Sequence, residues 1–144
     1  MSDDGGCTAF KWPVTREQAQ FAAAQAEQSG TALAVGVAAD LSLEPIDSVT
    51  FEVAPERAPA SGAFGATASL VVRPEGTIQI SLSDEAWIDV IQDDHALKLV
   101  DFSGVKTCPG IRKSMRFKLQ AGPATLQLSG AKKANLKVAV LALE

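Results

Sequence analysis

The chain has 144 residues, 47% hydrophobic and 21% charged, which is typical of one folded domain and excludes a disordered chain. No apolar run reaches the roughly 18 residues that a membrane-spanning helix needs, so none is predicted. The net charge of −4 is uneven: residues 1–101 hold 5 basic and 16 acidic residues (−11), and residues 102–144 hold 8 and 1 (+7). Because the basic residues alternate with apolar ones, the pattern favours neutralisation by the acidic part over a nucleic-acid-binding stripe.

The N-terminal part of the sequence predicts a leader over residues 1–14 and a single helix over residues 15–28. Thr15 and Gln18 have the spacing of a capping box, and Pro13 prevents the helix from extending further back. Four alanines recur at helical spacing and predict a small, smooth face that packs against another surface. They are Ala19, Ala22, Ala23 and Ala26.

Beyond residue 30 the hydrophobic period changes to two, which predicts strands with one buried face and one wet face. The clearest alternating segments are residues 49–53, 78–82, 115–119, 125–128 and 136–140. Turn sequences separate such segments at intervals of roughly 8–12 residues, and no helix lies between them. The pattern therefore predicts a mainly β fold: an antiparallel, jelly-roll-like β-sandwich of about seven to nine strands in a single domain over residues 15–144.

The two cysteines, Cys7 in the leader and Cys108 in a Thr-Cys-Pro-Gly turn, have one possible intrachain pairing. A disulfide would join the leader and the helix to the β domain, where Trp12 is also expected to anchor the leader. The alternative is two reduced thiols, with Cys108 buried as a small hydrophobe. The paired form predicts a periplasmic or extracellular protein, although the first six residues have neither the basic nor the apolar stretch of a signal peptide.

The segment of residues 86–91 is the most suggestive of binding. In an extended strand, Trp87 and Asp89 project from one face, and Ile88 and Val90 project from the other. A tryptophan beside a carboxylate can stack on a sugar ring while the carboxylate accepts hydrogen bonds from the sugar hydroxyls. The alternative places Trp87 in the core, with its indole N–H bonded locally.

A run of basic and polar side chains occupies one face of a later predicted strand. Its members are Arg112, Ser114, Arg116 and Lys118. The two arginines are candidates for binding an anionic ligand, such as phosphate or an acidic polysaccharide. Two alternatives remain: an edge strand protected from aggregation by its charges, and a strand that pairs with the acidic strand around Asp89.

Six carboxylate or imidazole side chains lie within residues 84–95, including His95. The spacing matches neither an EF-hand loop nor a zinc site, so the sequence predicts a polar hairpin end, no metal and no cofactor. Asp89, Asp93 and Asp94 are the remaining candidates for a cation.

Common catalytic motifs are absent from the sequence: it has no phosphate-binding loop, nucleophile elbow or zinc-binding helix. A Cys108 nucleophile activated by His95 has no recognisable protease context around it. A hydrolase or metal-dependent enzyme using the Asp89–His95 cluster is the remaining enzymatic alternative. The sequence therefore favours a protein that binds without catalysing a reaction.

The segment from Arg116 to Gly130 has an aromatic residue and a leucine, a glycine turn at Ala121-Gly122 and an alternating strand that ends in Ser129-Gly130. It resembles hairpins of the jelly-roll accessory domains of secreted bacterial proteins, including pre-peptidase C-terminal-like domains and carbohydrate-binding modules. The resemblance extends over residues 74–143, and Ala124 stands where those domains typically have a tyrosine. It implies the jelly-roll fold and carries over no ligand residue.

The functional expectation is a non-catalytic, exported binding module whose partner is a carbohydrate or an envelope protein. The alternative is a structural or assembly protein that forms homo-oligomers through its basic strand or its helix face.

Overall fold

The computed structural model describes residues 6–55 and 58–143. In these ranges eleven strands form two packed sheets, and one α-helix precedes them in the chain. This confirms the predicted β-sandwich with a single N-terminal helix. The elements are α1 (Thr15–Ala22), β1 (Gln25–Gln28), β2 (Ala38–Ser42), β3 (Glu44–Pro45), β4 (Phe64–Val72), β5 (Gly76–Leu82), β6 (Trp87–Gln92), β7 (His95–Ala96), β8 (Leu99–Gly104), β9 (Lys113–Leu119), β10 (Gly122–Ala131) and β11 (Asn135–Ala142). The strand count exceeds the prediction partly because β3 and β7 have only two residues each, too few to show an alternating pattern.

The strand order is that of a jelly roll. Sheet A has the order β1-β2-β11-β5-β9-β8, and sheet B has the order β3-β4-β10-β6-β7. If β1, β3 and β8 are left out, the remaining eight strands can be numbered one to eight in chain order. Sheet A then has the order 1-8-3-6, and sheet B has the order 2-7-4-5. These are two interleaved Greek keys. The ladders are antiparallel except for the parallel pair of β1 and β2.

The core lies between the sheets and follows the predicted alternation. Ile78, Ile80 and Leu82 of β5 are fully buried there. Each such side chain stabilises the fold by about 1.5–3 kcal/mol. Gln79 and Ser81 alternate with them and therefore lie on the outer face of sheet A. That outer face is covered by the N-terminal part of the chain, so these polar side chains are buried as well.

The helix begins at Thr15 as predicted but ends at Ala22, six residues before the predicted end. Residues 25–28 form β1 instead, and they pair with the edge of β2. Helix propensity is a weak preference that tertiary pairing overrides. The capping box was also wrong, because Val14 occupies the N-cap position and no side chain caps the helix.

The predicted alanine face of α1 is exposed rather than packed against the domain. The helix instead buries Glu17 and Phe21, which are four residues apart and share a face. A glutamate is tolerated on the buried face because sheet A supplies hydrogen-bond donors to it.

The leader is held to sheet A by the Cys7–Cys108 disulfide, which confirms the predicted pairing. Phe10, Trp12 and Val14 form a second, smaller hydrophobic cluster outside the main core. Trp12 is buried and thus anchors the leader as predicted. No helix in the described ranges is long and apolar enough to cross a bilayer.

The acidic and basic parts of the chain meet within the described structure. Arg112 and Lys113 both pair with Glu85, at 3.0 and 2.9 Å. The hypotheses that the basic strand is an edge strand or pairs with the strand around Asp89 were wrong. The basic strand is β9, which lies between β5 and β8 in sheet A, whereas Asp89 is on β6 in sheet B. The carboxylate that neutralises Arg112 and Lys113 is that of Glu85, which lies in the turn between β5 and β6. This turn crosses from sheet A to sheet B, because consecutive strands of a jelly roll lie in different sheets.

Candidate ligand-binding groove

The described residues form an open groove of about 1040 Å³. Its walls come from the turn between β4 and β5, the end of β11, the start of β8 and the loop before β2. The lining is mostly aliphatic and includes Val35, Val71, Val100, Ala142 and Leu143. A concave site of this size, with apolar walls and a few polar groups, is the usual form of a ligand site.

Exposed valines are concentrated at this groove. Six large hydrophobic side chains are exposed in the described part of the chain, and Val35, Val71 and Val100 of the groove are three of them. Val71 lies between the buried residues Leu70 and Val72 of β4, so the pleat turns it away from the core and leaves it 54% exposed. Clustered apolar exposure of this kind indicates an interaction site.

Arg116, one of the predicted binding residues, lines the groove. Its Nε donates a 2.9 Å hydrogen bond to Oε1 of Gln79, the residue opposite it on β5. The centre of its guanidinium lies 3.8 Å from the centre of the Trp12 ring. This stacking on one side and hydrogen bonding on the other hold the guanidinium in a defined position.

Glu17 of α1 fixes the orientation of Gln79. Its carboxylate is 1% exposed and accepts hydrogen bonds from the Gln79 amide nitrogen and, at 3.0 Å, from the Ser81 hydroxyl. Because the amide nitrogen of Gln79 is bound to Glu17, its oxygen is directed to Arg116. The sequence interpretation missed Glu17, which is indistinguishable from a surface glutamate in its helical pattern.

A second branch of the network ties Trp12 to the same sheet. The indole N–H of Trp12 donates to Oγ of Ser114 at 2.9 Å, and that oxygen lies 2.9 Å from Oγ of Ser81. The contacts therefore form a closed ring from Arg116 through the leader and the sheet back to Arg116. Buried polar groups that are mutually satisfied in this way make a rigid unit.

Asp101 lies opposite Arg116 in the ladder between β8 and β9. Its carboxylate accepts hydrogen bonds from Nζ of Lys11 at 2.9 Å and from the backbone N–H of Phe102 at 2.8 Å. The Lys11 hydrogen bond, followed by that of Phe102, lowers the pKa of Asp101 below its ordinary value, and the charge of Arg116 acts in the same direction. The carboxylate opposite Arg116 in the ladder is thus already engaged by the leader.

Replacing Lys11 by methionine is expected to raise the pKa of Asp101 towards its ordinary value. A lowered carboxyl pKa in the folded state contributes stability above about pH 4, and this contribution is lost as the pH falls through the folded-state pKa. The acid limb of the stability curve should therefore flatten slightly in Lys11→Met. Carboxyl ¹³C NMR titration measures the pKa directly. Lys98→Met, which removes the same charge from an exposed position, should leave it nearly unchanged; equal shifts would contradict a role for the hydrogen bond.

The other predicted binding residues lie away from the groove. Trp87 is half-buried and Asp89 is 5% exposed on the outer side of β6, where Nε1 of Trp87 donates to Oδ1 of Asp89 at 3.2 Å. Arg112 precedes β9 and is paired with Glu85. The structure therefore brings Arg116 to the groove and does not bring the four predicted binding residues together at one site.

The acidic segment of residues 84–95 forms a hairpin end only at Asp93 and Asp94, whereas Asp89 lies within β6. Asp93 and Asp94 are the two residues between β6 and β7, with φ of 54° and 68°. This backbone conformation is that of the tight turns that favour Asp, Asn and Gly. Among the described residues there is no group of three or more side chains able to hold a metal ion, Asp89 included.

The chain was compared with known protein families, curated proteins and solved structures. None of the three comparisons gave a match. The function is therefore inferred from the geometry of the groove. The sequence carries a local signal for the groove at two places, Val71-Val72 and Leu99-Val100. At each place two apolar residues are adjacent, so the strict alternation of apolar and polar residues breaks and one apolar side chain must face away from the core.

Proposed function

We propose that the protein is a non-catalytic binding module, exported to the periplasm or the cell exterior, that holds an extended segment of a partner protein in the groove. The observation that carries the proposal is the clustering of exposed Val35, Val71 and Val100 around one large cavity. The Cys7–Cys108 disulfide supports an oxidising compartment.

The groove suits a peptide better than a sugar. No aromatic ring is among its lining residues, and sugar rings are usually held by stacking on such rings. The adjacent strand β8 lies at the edge of sheet A, and its exposed side chains include Leu99, Val100 and Phe102. An extended peptide can pair with an edge strand through its backbone and place alternate side chains in neighbouring pockets.

Placing a charge in the groove is expected to abolish peptide binding without unfolding the protein. The probe is a set of peptides selected from a displayed random library on the oxidised wild-type protein. Val71→Glu and Val100→Glu, at positions 54% and 58% exposed, should each weaken binding by about tenfold or more, since a carboxylate would have to be buried under the peptide. Thermal unfolding should change little, because neither valine belongs to the core.

Val37→Glu is the matched control for these variants. Val37 is 53% exposed and does not line the groove, so its substitution should leave peptide affinity unchanged. Peptides that bind both groove variants as tightly as wild type would contradict the proposal. A library that yields no binder, alongside a glycan array that does, would also contradict it.

Carbohydrate binding at Trp87 is the second candidate, because this ring remains partly exposed beside Asp89. Loss of glycan-array binding in Trp87→Ala, with an unchanged thermal midpoint, would support it.

Self-association through the exposed alanine face of α1 is the structural alternative. Sedimentation over a range of protein concentrations tests it.

A further inference from the structure

We propose further that the segment held in the groove carries a carboxylate, which Arg116 binds through its two terminal guanidinium nitrogens. The inference specifies the chemistry of the ligand and rests on the proposed function above. The occupant is accordingly an acidic, aliphatic stretch of a partner protein.

Arg116 has hydrogen-bonding capacity that the residues described by the structure do not use. A guanidinium has five N–H donors, of which the Nε donor is bound to Gln79. Among the described residues, none accepts a hydrogen bond from the terminal nitrogens of Arg116. Within the described ranges, the one direct hydrogen bond of this half-buried cation is to a neutral amide. Such a group is a good receptor for an anion, because an incoming carboxylate replaces lost hydration with two parallel charge-assisted bonds.

The guanidinium is also held in place before any ligand arrives. Trp12 stacks on it, and Gln79 accepts from Nε because Glu17 binds the amide nitrogen of Gln79. Neither constraint blocks the terminal nitrogens by a hydrogen bond. A receptor group that is already ordered loses little conformational entropy on binding, which favours affinity.

The charges around the groove favour a single additional carboxylate. The described part of its lining contains two cations, Arg73 and Arg116, and two anions, Glu75 and Asp101. Asp101 is neutralised by Lys11 from outside the lining, at 2.9 Å. One positive charge is therefore left over, and the aliphatic walls would exclude water from the new ion pair.

The first experiment uses small probes and does not depend on a partner protein. Hexanoate, hexan-1-ol and hexylammonium are titrated into ¹⁵N-labelled wild-type protein and followed by NMR, including the Nε–H signal of Arg116. Hexanoate should bind about tenfold more tightly than the alcohol and shift the Arg116 signal. Equal affinity for the three probes would overturn the inference, and this comparison needs no variant that could fail to fold.

Variants then test whether the preference for hexanoate depends on the two terminal guanidinium nitrogens of Arg116. Arg116→Gln should lose about tenfold in hexanoate affinity, and Arg116→Lys should recover only part of it, because an ammonium does not present two parallel donors. Arg73→Gln removes the other positive charge of the lining and should cost less. If Arg73→Gln and Arg116→Gln lost equal amounts of hexanoate affinity, that affinity would depend only on the net charge of the groove. This result would overturn the assignment to Arg116.

The selected peptides locate the carboxylate and separate the two proposals. Each peptide is compared with its C-terminal amide and with its Glu→Gln or Asp→Asn analogue; the change that loses about tenfold identifies the group bound by Arg116. If neither change matters while Val71→Glu still abolishes binding, the inference fails and the proposed function stands. If hexanoate binding requires Arg116 but no peptide binds, the proposed function fails and the carboxylate site stands.

Discussion

The double substitution Cys7→Ser/Cys108→Ser is expected to lower the free energy of unfolding by up to about 4–5 kcal/mol. The disulfide joins residues 101 positions apart, so it removes a large amount of conformational freedom from the unfolded chain. Urea unfolding of the variant and of the oxidised wild type, followed by tryptophan fluorescence, measures the difference. The reduced wild-type protein serves as the control and should match the variant.

The same substitution should also affect the groove. The leader carries Trp12, which stacks on Arg116, and Lys11, which binds Asp101. If the leader loosens when its covalent link is removed, hexanoate affinity should fall together with stability. A stability loss below about 1 kcal/mol with unchanged hexanoate affinity would show that the hydrophobic contacts of Phe10, Trp12 and Val14 hold the leader by themselves.

Glu17→Leu is expected to destabilise the protein by about 2–5 kcal/mol, although the substitution places a hydrophobic residue at a buried position. The reason is that the Gln79 amide and the Ser81 hydroxyl would both lose their acceptor. Each buried donor left unsatisfied costs about 1–3 kcal/mol. Urea denaturation measures the change in unfolding free energy.

Two further variants make the Glu17 result specific. Arg16→Leu changes an exposed neighbour on the same helix and should alter stability by no more than about 0.5 kcal/mol. Glu17→Gln keeps one acceptor oxygen and should lie between wild type and Glu17→Leu. If Glu17→Leu were as stable as Arg16→Leu, the buried network would not contribute to holding α1 on sheet A.

The sandwich and its disulfide were predictable from the sequence because their causes are local or few. In β5 and β9, apolar side chains that face the core alternate with polar ones that face the outer side of sheet A, so the alternation of residue type marks both as strands of a sandwich. Cys7 and Cys108 allow a single pairing. The turn at Asp93-Asp94 was predictable for the same reason, since its conformation depends on the two residues themselves.

The end of α1 and the strand β1 were not predictable in this way. Residues 25–28 have a helix-compatible sequence, and they become a strand because the edge of β2 offers a ladder to pair with. The exposed alanine face has a similar origin. Which side of α1 is buried is decided by the donors of Gln79 and Ser81 beneath Glu17, and these residues lie more than 60 positions further along the chain.

The sequence by itself determined the fold class, the covalent link between leader and domain, and the presence of arginine on an outer strand face. Only the tertiary structure decided that this arginine lines a groove. Val35, Val71 and Val100 are separated along the chain and meet because the strand order brings the loop before β2, the end of β4 and the start of β8 together. The proposal that Arg116 binds a carboxylate there rests on Trp12 and Gln79, which orient its guanidinium, and on Lys11, which engages Asp101, the residue opposite Arg116 on β8.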